Sequence, residues 1–437
     1  MELQKELRKA NKNRKQQEGE ELLQGLKNNR STEKAHPTLY PKISPSLVHY
    51  SQCCVSSNTA MTDITSHLPV EMLESIFQHI SIYDLQTVVS VCRRWREVGE
   101  VPRLWSSLPI MVRSSKLSRL EETLSKPRLQ AAKKVIIARG PVREQVLEFV
   151  LTHPRMASLW ETLDMTNCCL DGEKVNKVFA AIIRDSKLKN LMIGYNDLSF
   201  LEPGVLGRAV TKLQTLEVTN ISHSQGEEIL RALSQTSKLK TLILETLNLN
   251  LDSLDPSLLA GAATWVETLD IEGNFYLGTQ ISPSVVGTVF KAISQPSRLR
   301  NLLIVHNDLS LVQPAILARA GTSLHTLDVS YTQLTQEQVE AIFSNIVLGS
   351  KLRDLSVKGV NLSTSDPKLL VRAVNKLQRV NIDCTSLTCE QGTGILTQSV
   401  VLTSLVTLKM EDVPGIDQDI VTEAKLKYEL IIMGWNC

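Results

Sequence analysis

Aromatic side chains are scarce in this chain: Phe, Tyr and Trp together make up 4 % of its 437 residues. Any core must therefore be aliphatic, and hydrophobic residues at 42 % are plentiful enough for a large one. Net charge is small too, at +2, so the whole chain has no electrostatic reason to seek nucleic acid or an anionic membrane. No apolar run approaches the roughly 18 residues that a bilayer crossing needs. Met1 to Ala10 is charged with no apolar stretch behind it, which predicts no secretory leader. The end, Gly434-Trp435-Asn436-Cys437, puts glycine where a prenylation box needs cysteine.

Catalytic and metal signatures are missing as well. The cysteines at 53, 54, 92, 168, 169, 384, 389 and 437 form no C-x-x-C pair and join no clustered Cys/His quartet. They read as reduced thiols of a cytosolic or nuclear protein, several of them at buried positions. There is no G-x-x-x-x-G-K-[ST] phosphate cradle, no H-E-x-x-H and no G-x-S-x-G. The histidines are scattered, none at informative spacing from a nucleophile. Arg93, Arg94 and Arg96 lie beside Glu97, which reads as a solvated helix face. The expectation is a non-enzyme without cofactor, metal, nucleic-acid or membrane partner.

The chain changes character along its length. Residues 1–65 mix Lys, Glu, Asn and Gln, then Pro and Ser, and bury too little apolar surface to offset ordering entropy, so they read as a disordered leader. From 66 to 110 the pattern becomes helical. Leu73, Ile76, Phe77 and Ile80 fall at i, i+3, i+4, i+7, and Leu85, Val88, Val89 and Cys92 repeat that spacing. Trp95, Val98, Leu104 and Trp105 supply a third apolar set. Ser81-x-x-Asp84 reads as a helix start. So small a three-helix module needs a neighbour to cover its apolar surface.

The order Leu68-Pro69, Leu73-x-x-Ile76-Phe77-x-x-Ile80, Asp84-Leu85, Val91-Cys92-Arg93-Arg94-Trp95 and Leu104-Trp105-x-x-Leu108 resembles an F-box. The resemblance implies docking on the Skp-family adaptor of a Skp–cullin–F-box ubiquitin ligase. It assigns adaptor contact to Leu68, Pro69, Ile76, Phe77, Leu85, Val88 and Val91, with Trp95 in the module's own core.

Residues 111–131 read as a connecting helix and cap. From 132 to 437 the chain repeats itself. The template L-x-x-L-x-L-x-x-N/C-x-L starts at Ala132, Trp160, Leu188, Leu213, Leu239, Val266, Leu299, Leu324, Leu352, Leu377 and Leu405. Leu188 to Leu198 and Leu299 to Leu309 are the clearest copies; Ala132 is the weakest. Leu299, Leu352 and Leu405 are 53 residues apart, which marks a two-repeat period in which Pro-containing turns alternate with longer helices. These repeats resemble the ribonuclease-inhibitor-like leucine-rich family. The expected fold is an α/β solenoid, parallel strands inside and helices outside, each repeat burying its neighbours' leucines. Asparagine stands at the ninth position at Asn196, Asn274 and Asn307, and Cys168 and Thr385 can substitute. Ile221, Leu247, Val360 and Val413 cannot hydrogen-bond there, so the turn geometry of those repeats is open.

Between the inward leucines, strand residues face the open side. The fifth template position reads Asp164, Met192, Glu217, Ile243, Asp270, Leu303 and Asp328 in chain order, then Ser356 and Asn381. Glu245 and Glu272 add charge, and Lys358, Arg379 and Lys409 gather towards the C-terminal end. Carboxylates alternating with apolar groups suggest a groove on the concave face for a protein segment that combines Lys or Arg with apolar side chains. An insertion at Phe275–Pro283 places Phe275 and Tyr276 in a loop that reads equally as a partner contact or a tolerated length variant. The function expected is a substrate receptor of a ubiquitin ligase; the alternative is a repeat scaffold or inhibitor that never joins one.

Overall fold

The computed structural model describes residues 68 to 431 apart from 81, 113–120, 122–123, 126, 237, 246–254, 274–280, 296, 402–404, 411–412, 414 and 428. The expected leader at 1–65 and the pair Phe275 and Tyr276 lie outside the described residues, and of Glu245 only the backbone is described. The chain divides into two compact parts, Met1–Ile76 and Phe77–Cys437.

Helices come first: α1 (Val70–Phe77), α2 (Ile82–Val88), α3 (Arg93–Gly99) and α4 (Pro102–Ser107). The fourth goes beyond the three-helix reading. Pro102 opens it at a position where a missing N–H costs nothing. In the second part, Gly99 is small for a reason: a Cβ there would meet Val89 Cγ1 at 2.4 Å. Buried Trp105 donates its indole N–H to the Gly99 carbonyl at 2.6 Å. Trp95 meets Phe77 edge to face, with ring centroids 5.6 Å apart, in the internal packing role expected of it.

Strand and helix then alternate. The strands are β1 (Pro109–Val112), β2 (Lys134–Ile137), β3 (Thr162–Asp164), β4 (Asn190–Met192), β5 (Thr215–Thr219), β6 (Thr241–Glu245), β7 (Thr268–Glu272), β8 (Asn301–Leu303), β9 (Thr326–Asp328), β10 (Asp354–Ser356), β11 (Arg379–Asn381), β12 (Thr407–Lys409) and β13 (Glu429–Ile431). They form one 13-stranded sheet in chain order. Each neighbouring pair is parallel. Strands β2 to β12 carry the template starts read from the sequence. The sheet is longer by one strand at each end: β1 begins at Pro109, before the expected repeat start at Ala132, and β13 follows Leu405.

The register superposes like on like. Leu163, Leu191, Leu216, Leu242, Leu269, Leu302 and Leu327 lie side by side across β3 to β9. Every template start from Ala132 to Leu405 is buried, as are the fourth- and sixth-position residues beside it. Each such leucine contributes about 1.5–3 kcal/mol by leaving water.

Behind the strands, short and long helices alternate, which gives the two-repeat period its physical form. The shorter set is α8 (Pro203–Lys212), α10 (Pro256–Trp265), α12 (Pro314–Gly321) and α14 (Pro367–Val374), each opened by proline. The longer set is α7 (Gly172–Asp185), α9 (His223–Thr236), α11 (Pro283–Ile293), α13 (Gln336–Leu348) and α15 (Cys389–Val401). Ahead of them stand α5 (Glu144–Thr152) and α6 (Pro154–Ser158), and α16 (Gln418–Lys427) closes the series.

Buried polar side chains stitch the repeats together. Asn196 Oδ1 accepts from the Cys168 and Leu170 N–H groups at 3.1 and 3.0 Å. Its Nδ2 donates to the Met165, Ile193 and Gly194 carbonyls at 2.9, 2.9 and 3.1 Å. Asn307 repeats this arrangement, accepting from Ile281 N–H and donating to Ile271, Ile304 and Val305 carbonyls. Thr332 and Thr385 use a hydroxyl at the ninth position, donating to carbonyls of their own strand ends at 2.6 and 2.7 Å. Cys168 approaches the Ile137, Ala138 and Thr166 carbonyls at 3.7–3.9 Å, and burial pushes its thiol up to about 12.

Three glutamines do a second job. Gln338 accepts the Thr335 N–H at 2.8 Å while the Thr335 hydroxyl receives the Gln338 N–H, closing a capping box. Its Nε2 then reaches the Leu309 and Val312 carbonyls of the preceding repeat at 2.7 and 2.5 Å. Gln225 does the same to Leu198 and Leu201, and Gln391 to Leu362 and Ser365. The chain leaves most strands through a left-handed residue at the eighth position: Asn167, Tyr195, Asn220, His306, Tyr331 and Cys384 have φ of 54–60°. At the same position Gly359, with φ 72°, also makes room for Tyr331, whose ring a Cβ would meet at 2.4 Å.

Candidate functional site

Two surfaces concern function. The first is on α1. The Pro69 carbonyl accepts from the Met72 and Leu73 N–H groups at 3.1 and 3.2 Å and so starts the helix. Leu73, Glu74 and Phe77 form its buried stripe. Residues three and four apart share a face, so Pro69, Met72 and Ile76 lie together on the opposite side. Pro69 is exposed, Leu68 half-buried, and Met72 and Ile76 are 51 % and 47 % exposed. Val91, on the turn before α3, is 57 % exposed. An apolar side chain held in water this way is available to a partner.

The other residues assigned to adaptor contact are placed differently. Phe77, Leu85 and Val88 are 2 %, 0 % and 8 % exposed and pack within the chain itself. The exposed Met72 and Val70 were not picked out by periodicity. On α1 the buried stripe runs through Glu74 as well as Leu73 and Phe77, so Ile76 lies beside Met72 on the exposed side.

Residues 65–110 match the F-box-like family. No curated protein matches the chain. The F-box-like segment spans α1 to α4 and ends on β1, so its last residues are also the first strand of the sheet.

The second surface is the face of the sheet turned away from the helices. Asp164, Met192, Glu217, Ile243, Asp270, Leu303 and Asp328 are paired neighbour to neighbour in one row across β3 to β9. All seven are half-buried. The row continues through Ser356, Asn381 and Lys409. Asp164 and Asp328 accept the N–H two residues on, at 3.1 and 2.9 Å, so each carboxylate also tidies its strand end. Glu217 leans over Gly194, where a Cβ would meet its Oε1 at 2.7 Å. Glu272 stands in register with Glu245 at the strand ends.

Towards the C-terminal strands the charge changes sign. Arg379 grips Asp354 with two hydrogen bonds, 2.9 and 2.5 Å, and the pairing raises the guanidinium pKa. Tyr331 stacks on His306 at 4.8 Å, and Lys358 lies 5.6 Å over the tyrosine ring. Lys409 has no ion-pair partner among the described residues. Leu303, Asp328, Ser356, Arg379, Asn381 and Lys409 help to line a depression of about 220 Å³ on this face.

Among the described residues no group of His, Cys, Asp and Glu could hold a metal ion. Among them too, no helix is long and apolar enough to cross a membrane.

Proposed function

We propose that the chain is a substrate receptor of a Skp–cullin–F-box ubiquitin ligase. The F-box-like segment docks the Skp-family adaptor, and through it the cullin complex, while the repeats, of the leucine-rich kind, hold the protein to be ubiquitinated on their open face. The chain works in cytosol or nucleus and supplies no reacting group. It raises the local concentration of a target lysine beside a ubiquitin-charged enzyme held by other subunits.

The observation that carries this reading is the apolar face of Pro69, Met72 and Ile76 held in water within a segment that matches the F-box-like family. In this reading the buried Phe77, Leu85 and Val88 leave Leu68, Pro69, Met72, Ile76 and Val91 as the proposed adaptor contacts. Buried residues shape the docking helices; the exposed ones touch.

Affinity capture of the full chain tests it. Adaptor and cullin should come down with the wild type and be lost with Leu68→Ala/Pro69→Ala and with Met72→Asp/Ile76→Asp. The second pair changes exposed side chains, and circular dichroism checks that the variant keeps its fold. Unchanged capture with both pairs would refute the receptor reading.

A further inference from the structure

We infer that the open face takes an amphipathic α-helix of its target, with a lysine or arginine every seventh residue and an apolar side chain midway between. This rests on the reading of that face as the capture surface and names what it captures.

The argument is one of spacing and charge. The row from Asp164 to Asp328 alternates carboxylate and apolar group strand by strand: Asp164, Met192, Glu217, Ile243, Asp270, Leu303, Asp328. Neighbouring parallel strands lie about 4.8 Å apart, so carboxylates recur about every 9.6 Å with an apolar group halfway. An α-helix lying along the row repeats one face every seven residues, about 10.5 Å, and supplies a side chain of the same face roughly midway, at i+3 or i+4. The difference of about 1 Å per heptad lies within the reach of flexible Lys and Arg stems.

Other backbones fit less well. An extended strand presents same-face side chains about every 6.7 Å and falls out of step with both spacings. A polyproline helix returns to one face about every 9.3 Å and meets the carboxylates, but it offers nothing on that face to Met192, Ile243 and Leu303 in between.

The face also sets direction. Beyond Asp328 the row ends in Ser356, Asn381 and Lys409, beside Arg379 and the depression of about 220 Å³. The C-terminal end of a helix carries partial negative charge from its unpaired carbonyls. The bound helix therefore runs with its C-terminus towards β10 to β12 and its N-terminus towards β3. About three heptads span the four carboxylates.

A synthetic 22-residue peptide with lysine at its positions 1, 8, 15 and 22, leucine midway and alanine or glutamine elsewhere tests this by fluorescence anisotropy against the full chain. Expected are saturable binding and at least a tenfold loss with Asp270→Lys/Asp328→Lys. The same loss should follow a proline in the central heptad of the peptide. Circular dichroism and retained adaptor capture show that the variant is folded. Equal binding of the proline-broken peptide, or of an alternating Lys-x-Leu extended peptide, would overturn the helix assignment. So would no peptide binding at all. If the peptide fails while target proteins captured from cells are lost from Asp270→Lys/Asp328→Lys, the helix inference falls and the receptor reading stands.

Discussion

The two kinds of repeat solve the same problem with different side chains. In the short-helix repeats of β4 and β8 an asparagine at the strand end serves the preceding repeat's backbone as donor and acceptor at once. In the long-helix repeats of β5, β9 and β11 a glutamine at the helix start donates to the preceding repeat's carbonyls while accepting an N–H of its own repeat, and the strand-end position falls to Ile221, Thr332 and Thr385. A parallel sheet buried under helices leaves loop carbonyls and N–H groups with no ladder partner, and each is costly if unmet. Alternation shares that load between an amide at the sheet end and an amide at the helix end. The pattern at the ninth position is thus half of a two-part arrangement.

The largest expected effect comes from reversing the donor role. Gln338→Glu sets a carboxylate against the Leu309 and Val312 carbonyls in a buried site, and should cost about 3–5 kcal/mol in urea unfolding. A loss below about 1 kcal/mol would show that the glutamine bonds contribute little.

A pair of smaller changes sharpens the contrast between strand ends. Asn196→Ala strands the Cys168 and Leu170 N–H groups and should cost about 2–3 kcal/mol, whereas Thr385→Val removes one local hydroxyl bond and should cost about 1 kcal/mol. Equal losses would remove the distinction between an amide that bridges repeats and a hydroxyl that serves its own.

The smallest effect is a pH dependence at the start of the series, where no such amide stands. Burial first, then the neighbouring Arg155, lowers the His153 pKa below its usual value; the ring stacks on Trp160 at 5.0 Å and accepts the Arg155 N–H at Nδ1. The neutral ring is the folded form. Its stabilising contribution is complete above the unfolded pKa of about 6.5 and is lost as pH falls through the lower folded value. The thermal midpoint of the wild type should drop on acidification through that window more than that of His153→Asn. Parallel curves would exclude His153 as a source.

Much of this was legible from leucine spacing alone, because a period-two strand in a stack shows its buried positions at fixed intervals. The end strands were not. β1 turns only Ile110 and Val112 inward, without a leucine at the template start, and β13 lies where the copies have ended. The acidic and apolar row was readable because template position dictates facing. The glutamines could have been found from Ser222-x-x-Gln225, Thr335-x-x-Gln338 and Thr388-x-x-Gln391, a shared capping spacing ahead of three long helices. Their reach into the preceding loop could not, since it depends on how neighbouring repeats stack. On α1, hydrophobic periodicity put Ile76 on one face with Leu73 and Phe77; the burial of Glu74 in its stead is a tertiary choice that hydropathy works against.

The buried side chains that clip one repeat to another share a direction. Cys168, Asn196, Gln225, Asn307, Gln338 and Gln391 all reach towards residues of lower number, as Arg155 does to the Leu124 and Leu129 carbonyls. A chain emerging from the ribosome makes its N-terminal residues first. Each new repeat therefore arrives carrying its own fastener and finds the backbone groups it needs already in place, so the stack can be completed one turn at a time without waiting for sequence still to be translated.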